Sequence, residues 1–373
     1  GGPIDEEYAK NRSLNEPLVE ITQVKGTSET HPLISKNDEW AAFEAKTGVE
    51  AERLVSNLKG GYVRDAYLRG LTLAERGLTN PFKFGLIGSS DSHVGGPSDS
   101  EEFFFSKVGL LDGTAELRGS IPFNRFYGTF LKVLRPNLLK EVDGKNYFSA
   151  SDRLVQFAAS GLAGVWAEEN TREAIYDALK RKETFATSGP RMKVRFFAGY
   201  DLENSKLDDL SLIQDAYRSS IPMGGTLNIS ANKNPTFLVW AIADPVGAPL
   251  QRTQIIKGWL EDGEHKEKVF DIACSNGLSV DPKTYRCPDN KAWVDLSNCS
   301  ISADSGAREM KVFWQDPEFK KDQGAFYYSR VLENPVCRWS TWDSVRNGQK
   351  PRSDIPATIQ ERAWSSPIWL NNF

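Results

Sequence analysis

Histidine and cysteine are scarce in this chain of 373 residues, which contains three histidines and four cysteines. The cysteines are never two to four residues apart, so the paired spacing of a zinc module is absent. The longest apolar run, 237–243, is far shorter than the ~20 residues that a membrane-spanning helix needs. A P-loop and a G-x-S-x-G nucleophile turn are missing as well. These absences argue against zinc fingers, membrane-spanning proteins, P-loop NTPases and α/β-hydrolases.

An excess of charge of one sign is also missing. The chain has 46 basic and 50 acidic side chains, a net charge of −4 and 39 % hydrophobic residues. This balance argues against a nucleic-acid-binding protein and is typical of a folded globular one. The length predicts two or three domains. Because the chain begins Gly1-Gly2-Pro3 without a methionine, we expect it to be a processed product or a fragment of a longer precursor.

The four cysteines, Cys274, Cys287, Cys299 and Cys337, all lie in the last third of the chain, where most of the tryptophans also lie. An even number of cysteines in a loop-rich region predicts two disulfides and a periplasmic or secreted protein. The alternative is four separate buried thiols. Sequence allows three pairings and does not choose among them.

Residues 1–190 alternate between strand-like and helix-like segments. Apolar residues at helical spacing predict a helix from Tyr62 that ends at Gly77, and a second helix from Asn170 that ends near Lys182. Ser35-Lys-Asn-Asp38 resembles the start of a short helix. Alternating strands and helices predict parallel pairing, and therefore an α/β layer or barrel over residues 1–190.

The pattern changes after Pro190, where short strand-like runs are separated by Gly, Pro, Asn and Asp. This pattern is typical of a β-sandwich, so we expect a β-rich, sandwich-like domain over residues 191–373. The final segment, 357–373, could pack back on the first domain. The runs predicted as strands are 193–197, 236–243, 254–260, 268–272 and 325–332.

Asp91-Ser92-His93 directly follows the apolar strand 84–87. In an α/β barrel, residues at the carboxyl ends of strands face the active site. A carboxylate and an imidazole two residues apart can point at one metal ion, and this donor mixture suits zinc, manganese or iron. The alternative is a capping aspartate beside a hydrogen-bonded loop histidine.

Two acidic residues accompany the first predicted strand. Glu20 lies inside it and Glu29 just beyond its end. A carboxylate within an apolar strand is costly to bury unless it is paired or binds a metal, so both are candidate metal ligands. His31 could be an accessory ligand, although an exposed loop histidine before Pro32 is the preferred interpretation.

Two cations are candidate substrate-binding residues. Arg191 follows a strand-like segment and the turn Thr187-Ser-Gly-Pro190, where it could hold a phosphate or a carboxylate. Lys25 ends the first strand. The alternative for both is a surface charge or an interdomain salt bridge. His265 is interpreted as a solvated hairpin tip.

Four longer segments together resemble one family: VEITQVKGTSE (19–29), GLIGSSDSHVGG (85–96), NTREAIYDALKRKETFATSGPR (170–191) and PATIQERAWSSPIW (356–369). They resemble the domain-of-unknown-function family 3604, which is similar to the polymerase-and-histidinol-phosphatase (PHP) metal-dependent hydrolases. The resemblance covers nearly the whole chain. It implies that residues 1–190 are part of a PHP-like distorted (β/α)7 barrel.

The resemblance also implies roles for the candidate residues. Asp91 and His93 match the last metal-binding motif, and Glu29 or Glu20 matches the central acidic ligand of a site for divalent zinc, manganese or iron. PHP-like proteins open with a His-x-His strand and carry a further Asp-His, and neither occurs in this sequence. We therefore expect a missing N-terminal segment of the same protein to supply the remaining ligands.

The resulting hypothesis is a PHP-type metal-dependent hydrolase, incomplete in this chain, in which metal-activated water attacks an anionic small-molecule ester such as a phosphoester. Asp91 and His93 would be its catalytic residues, and Arg191 would neutralise charge on the substrate. Amide or lactone hydrolysis on the same metals is a variant that sequence does not separate. The alternative from another class is a secreted, non-catalytic binding or surface protein that uses its tryptophan-rich β-sandwich.

Overall fold

The computed structural model describes residues 4–45, 58, 60–148, 157–202, 206–230 and 233–371. Six α-helices and one 3₁₀ turn (Pro136–Leu138) occur in this part of the chain. The helices are α1 (Glu6–Asn15), α2 (Val63–Glu75), α3 (Arg125–Leu134), α4 (Arg172–Arg181), α5 (Leu212–Ser219) and α6 (Trp339–Arg346).

The predicted helices α2 and α4 are confirmed. Helix α2 starts after Tyr62 and ends before Gly77, whose φ of 79° is the left-handed conformation that glycine adopts readily. The expectation of a short helix starting at Ser35-Lys-Asn-Asp38 is wrong, because this segment and the residues after it form turns. Its capping groups are engaged elsewhere: Asp38 forms ion pairs with distant arginines, and Ser35 bonds to Thr30.

Nineteen strands make up the sheets of the described residues. The first nine are β1 (Leu18–Gln23), β2 (Gly26–Thr27), β3 (Gly85–Gly88), β4 (Leu139–Val142), β5 (Lys145–Phe148), β6 (Leu162–Val165), β7 (Thr184–Thr187), β8 (Lys193–Gly199) and β9 (Ile221–Pro222). The others are β10 (Thr226–Asn228), β11 (Thr236–Ile242), β12 (Leu250–Glu261), β13 (Glu264–Cys274), β14 (Glu309–Gln315), β15 (Ala325–Glu333), β16 (Val336–Cys337), β17 (Thr358–Ile359), β18 (Arg362–Ser365) and β19 (Ile368–Asn371).

A three-stranded sheet has the order β2-β1-β3, in which β1 and β3 run parallel, with Leu18 opposite Gly85 and Val19 opposite Leu86. Strand β2 returns antiparallel on β1. Strand β3 also packs against β6 and β7. The two parallel strands therefore end at the same edge, next to the larger sheet.

An eight-stranded sheet and a four-stranded sheet form the rest of the architecture. The large sheet has the order β10-β19-β15-β18-β7-β6, with β12 pairing β15 and β13, and the smaller has the order β14-β11-β8-β9. Buried side chains of both sheets, such as Phe196, Phe237, Phe270 and Tyr327, share one hydrophobic core. The architecture is α+β, with mostly antiparallel sheets.

The described residues do not form the (β/α)7 barrel that we expected. Only the pairs β1–β3 and β10–β19 are parallel in them, whereas β6, β7 and β18 pair antiparallel. The physical reason lies in β18, which returns from the end of the chain and inserts beside β7 with Trp364 opposite Ala186. The large sheet therefore contains strands from both sides of the boundary expected near residue 190.

Both predicted disulfides form, and the alternative of four free thiols is wrong. Cys274 pairs with Cys287, and Cys299 pairs with Cys337. The first bond links the end of β13 to the loop that follows it, and the second links that loop region to β16. The disulfides thus stabilise the long irregular segment between β13 and β14.

Candidate functional site at the ends of parallel strands

The segment Asp91-Ser92-His93 lies just beyond the carboxyl end of β3. The end of β1 lies beside it, because the Val24 N–H donates to the Ser90 carbonyl at 3.3 Å. Lys25 is the residue after Val24 and lies at the same edge. The parallel pairing thus brings two sequence-predicted site residues, Lys25 and Asp91, to one edge, as expected for a site at the carboxyl ends of parallel strands.

Asp91 is at the centre of this edge. Its φ of 46° is left-handed, a conformation that aspartate tolerates better than most residues. Its Oδ2 lies 2.5 Å from Lys25 Nζ and 3.2 Å from Lys107 Nζ, and its Oδ1 lies 3.7 Å from His93 Nε2. Burial opposes ionisation of the Asp91 carboxyl, but hydrogen bonds and ion pairs with the two lysines outweigh it and lower its pKa.

Lys107 is a site residue that sequence reasoning missed. Its side chain is only 6 % exposed, and its ammonium also donates to the Asp91 carbonyl at 2.7 Å. The His93 N–H in turn donates to the Lys107 carbonyl at 2.7 Å. Lys107 therefore holds both Asp91 and His93 in place. Its position in an irregular loop, 16 residues after Asp91, left no sequence signal for this contact.

The four side chains form a polar cluster that we call the strand-end site: Lys25, Asp91, His93 and Lys107. Two ammonium groups against one carboxylate leave a local excess of positive charge, which can bind an anionic group. The His93 side chain is 59 % exposed, so its imidazole can contact a bound molecule.

Glu20, a candidate metal ligand, lies on β1 and is bonded within its own sheet. Ser89 donates to its Oε2, and Gln23 Nε2 donates to its Oε1 at 2.9 Å. Ser89 directly follows β3, so Glu20 links the two parallel strands. The Glu20 carboxylate is partly buried and lies on β1, and both of its oxygens are engaged by these side chains.

Glu29, the other acidic candidate, lies in a buried ionic network. Its carboxylate accepts from Arg64 Nη2 at 2.6 Å, from Tyr328 Oη at 2.7 Å and from Arg330 Nη1 at 3.0 Å. Asp38 binds the same two arginines. Burial opposes ionisation of Glu29, yet Arg330 and Arg64 hold its pKa below the ordinary value. The oxygens of Glu29 are thus committed to arginines and a tyrosine.

Arg191 lies at the surface, two residues before β8. Its Nε is 3.1 Å from Asp99 Oδ2, and its backbone N–H donates to Asp244 Oδ2 at 2.6 Å. The side chain is 75 % exposed. In this structure Arg191 thus forms a surface ion pair with Asp99.

The other two histidines of the chain, His31 and His265, differ in burial. His31 is buried, not exposed as preferred, and its ring lies 5.8 Å from that of Tyr62, the residue before helix α2. His265 lies on the β12–β13 hairpin, exposed, with Nε2 2.9 Å from Thr72 Oγ1.

A second buried cluster, absent from the sequence predictions, surrounds Arg338. Its guanidinium forms an ion pair with Glu44. Glu101 lies nearby and accepts the N–H groups of Ala159 at 2.5 Å and Trp339 at 2.7 Å. Burial raises the pKa of Glu101 to about 7, although Arg338 opposes the shift. The pKa of Glu361, bonded to Ser188, is also raised by burial and by neighbouring carboxylates.

The strand-end site supplies part of the donor set that a divalent metal needs. Asp91 and His93 supply oxygen and nitrogen donors of the kind that zinc, manganese and iron bind. Within the described ranges, no three His, Cys, Asp or Glu side chains come close enough to hold one metal. Protein metal centres generally use three or more ligands, so these two residues fit as part of a donor set and do not complete one.

An aromatic binding face would favour the alternative of a binding protein. All ten tryptophans lie in the described ranges, and Trp293 is the exposed one, at 54 %. Trp339, Trp364 and Trp369 are among the largest fully buried side chains. The tryptophans therefore serve mainly the core.

Fold and site together define an α+β protein with a polar site where two parallel strands end. The family model described as "Protein of unknown function (DUF3604)" matches residues 1–372, and the chain belongs to this family. No curated protein matches the chain. Among the described helices, none has the length and apolar character required to cross a membrane.

Proposed function

We propose that this chain carries part of the active site of a PHP-type metal-dependent hydrolase that acts on an anionic ester, in the first place a phosphoester. The observation that carries the proposal is the meeting of Lys25, Asp91, His93 and Lys107 at the ends of two parallel strands. In this proposal β1 and β3 supply the parallel strand ends of a PHP-like site, although the described residues do not close a (β/α)7 barrel.

Asp91 and His93 would hold one side of a divalent ion, whose remaining ligands would come from groups other than the described residues. The ion would supply a water of lowered pKa and Lewis acidity toward the ester. Zinc, manganese and iron are the candidates. Glu20 and Glu29 would serve the site only with different partners, because their carboxylates are bonded elsewhere in this structure.

The remaining residues of the strand-end site would bind and orient the substrate. The Lys25 side chain is half exposed and can shift from Asp91 to a substrate oxygen. Lys107 is buried and would keep Asp91 ionised and correctly oriented. As a metal ligand, His93 would bind through a ring nitrogen of its neutral imidazole. Arg191 would join the site only by leaving Asp99.

The test compares the protein, purified as its host makes it, with the double variant Asp91→Asn/His93→Gln. Asparagine keeps the tolerance for a left-handed φ at position 91, so the variant should fold. The matched control is Asp262→Asn/His265→Gln, which makes the same chemical changes on an exposed hairpin. Metal content is measured by elemental analysis, and hydrolysis with p-nitrophenyl phosphate and bis-p-nitrophenyl phosphate after addition of Zn²⁺ or Mn²⁺.

We expect the double variant to lose bound metal and about 100-fold or more in kcat/KM, because removal of a residue that only supports a metal ligand already costs about 10–100-fold. The control should keep both. Hydrolysis and metal content that are unchanged in the Asp91/His93 variant would refute the proposal, and so would wild-type protein that neither binds metal nor hydrolyses any ester tested.

A further inference from the structure

Helix α3 is unusual because it turns its apolar face to solvent. Its apolar residues Phe126, Phe130, Val133 and Leu134 follow the i, i+4, i+7, i+8 spacing of one helix face. In a globular protein such a face normally packs on the core. Here Gly128 is the buried residue of the helix, so α3 rests on the protein through its other side.

The exposure of this face is large. Phe126 is 90 % exposed, Val133 77 %, Phe130 58 % and Leu134 57 %. Leu138, in the 3₁₀ turn that follows, is also exposed. Single exposed apolar residues are ordinary on a protein surface, but a contiguous set on one helix face marks an interaction site. No residue in the described part of the chain covers this helix face, which therefore suits an apolar environment.

The charge around the helix identifies the kind of environment. Residues 121–148 contain five lysines and arginines and two acidic residues, although the whole chain is acidic. Both acidic residues are engaged: Glu141 pairs with Lys132, and Asp143 bonds to Ser353. Arg125 and Arg135, at the two ends of α3, are exposed and have no ion pair within the described residues. The surface that covers α3 should therefore be anionic.

A second copy of this chain suits the helix poorly. Two α3 faces in contact would bring the arginines of both copies together, and the helix has no acidic residue to offset them. The apolar side chains also project as a ridge, not as a groove that a peptide could fill. Apolar side chains on one face with flanking arginines are the pattern of a helix that lies in the interface of an anionic lipid bilayer.

We propose that helix α3 binds the surface of membranes that contain anionic lipid. Phe126, Phe130, Val133 and Leu134 would insert at the boundary between headgroups and acyl chains, with the helix parallel to the bilayer. Arg125 and Arg135 would contact lipid phosphates. Because the fold holds α3 in helical form before contact, binding requires no coupled folding of this segment.

The test measures sedimentation of the purified protein with vesicles of phosphatidylcholine alone and of phosphatidylcholine with about one quarter phosphatidylglycerol. The apolar variant is Phe126→Ser/Phe130→Ser and the charge variant is Arg125→Gln/Arg135→Gln. The matched control is Leu210→Ser/Val246→Ser, which removes two fully exposed apolar side chains elsewhere on the surface. Sedimentation velocity without lipid reports the oligomeric state.

We expect the wild type to bind anionic vesicles in a manner that weakens with salt, and to bind neutral vesicles at least about tenfold more weakly. The apolar and charge variants should each lose about tenfold or more in partitioning, and the control should match the wild type. Wild type that does not bind anionic vesicles would overturn the proposal. So would a concentration-dependent dimer that the apolar variant dissociates without any lipid binding, or equal binding by all variants.

Discussion

At the scale of single residues, the surroundings of Glu29 and Asp38 lower their carboxyl pKa values, whereas the surroundings of Glu101 raise its pKa. Arginines surround Glu29 and Asp38, which keeps their pKa values low. Glu101 is bonded mainly to backbone N–H groups and lies near other carboxylates, so burial dominates and raises its pKa. The number of guanidinium groups in contact, not depth of burial, decides the direction.

The raised pKa of Glu101, about 7, predicts a pH-dependent stability. The folded state holds the proton more tightly than the unfolded state, so the stabilisation is complete below the ordinary pKa near 4.5 and is lost as the pH rises through about 7. Glu101→Gln removes this titration. Between pH 5 and about 7.5, urea unfolding should show wild-type stability falling relative to the variant by about 2–3 kcal/mol.

The control for this prediction is Glu102→Gln, since the Glu102 side chain is 43 % exposed and pairs weakly with Arg346 at 3.8 Å. Its stability should follow the wild type at every pH. The charged groups that face Glu101 are Arg338, Glu44 and Glu361. Parallel stability curves for wild type and Glu101→Gln would contradict the assignment.

Glu29 offers a second prediction, because its carboxylate compensates two buried arginines. Glu29→Gln leaves Arg330 with Asp38, and Arg64 with Asp38 and the more distant Glu267. Removing one partner of a buried ionic network typically costs about 3–5 kcal/mol. Urea unfolding should show this loss, whereas Glu20→Gln, a partly exposed control on β1, should cost about 1 kcal/mol.

A chelator adds a separate readout for Glu29. If the residue stabilises the fold through arginines, EDTA should leave the difference between wild type and Glu29→Gln unchanged. If instead EDTA brought the wild type down to the stability of the variant, Glu29 would be a metal ligand as the sequence resemblance implies, and its arginine contacts would have to rearrange.

At this scale, a contact can be predicted from sequence only when its partners lie close together along the chain. Asp91 and His93 could be predicted because a strand and the loop that leaves it are local features. The partners of Glu29 could not: Arg330 is 301 residues away, and an ion pair over that separation leaves no spacing to recognise. Lys107 was missed because its irregular loop has no period that would orient a side chain.

At the scale of elements, the close approach of β3 to β6 and β7 depends on glycine. A Cβ on Gly88 would lie 2.7 Å from the Leu162 carbonyl oxygen and 2.8 Å from that of Thr187. Both are backbone atoms of neighbouring strands and cannot rotate away. Gly88 thus sets the spacing at which the small parallel sheet meets the large one.

Gly88→Ala should therefore destabilise the protein by about 1–3 kcal/mol or more, as overpacking of a rigid site does. Thermal unfolding provides the measurement. Gly95→Ala is the matched control, because a Cβ there meets nothing within 4 Å. A melting temperature of Gly88→Ala equal to that of the control would mean that the strands are spaced more widely than the structure has them.

Elements with a regular apolar period were predictable, and those formed by tertiary contacts were not. Helices α2 and α4 show the helical spacing and were predicted. Helix α3 has the same spacing at Phe126, Phe130 and Val133 and could have been found from it. Helix α1 has no comparable apolar face: Ala9 is its buried residue, and most of its side chains are polar. Its sequence carries little helical signal.

At the scale of the whole molecule, the large sheet decides whether the two predicted domains are independent. Strand β7, from the first 190 residues, lies between β6 and β18, and β18 comes from the end of the chain. The change of composition at Pro190 is real, but it marks a change from mixed to β-rich structure along a shared sheet. Such long-range pairing leaves no trace in local composition, so the sequence could predict the strands and not their order.

The shared sheet predicts that both halves unfold together. Far-ultraviolet circular dichroism follows all helices, most of which precede residue 190, and tryptophan fluorescence follows mainly the later half, which holds eight of ten tryptophans. Ala186→Pro removes a donor from the middle of β7, where Ala186 faces both Ala163 and Trp364. In wild type, both signals should show one common transition. In the variant, both transitions should shift by the same denaturant concentration. If the circular dichroism transition moved while the fluorescence transition stayed, the halves would be separate folding units and the boundary near residue 190 a true domain boundary.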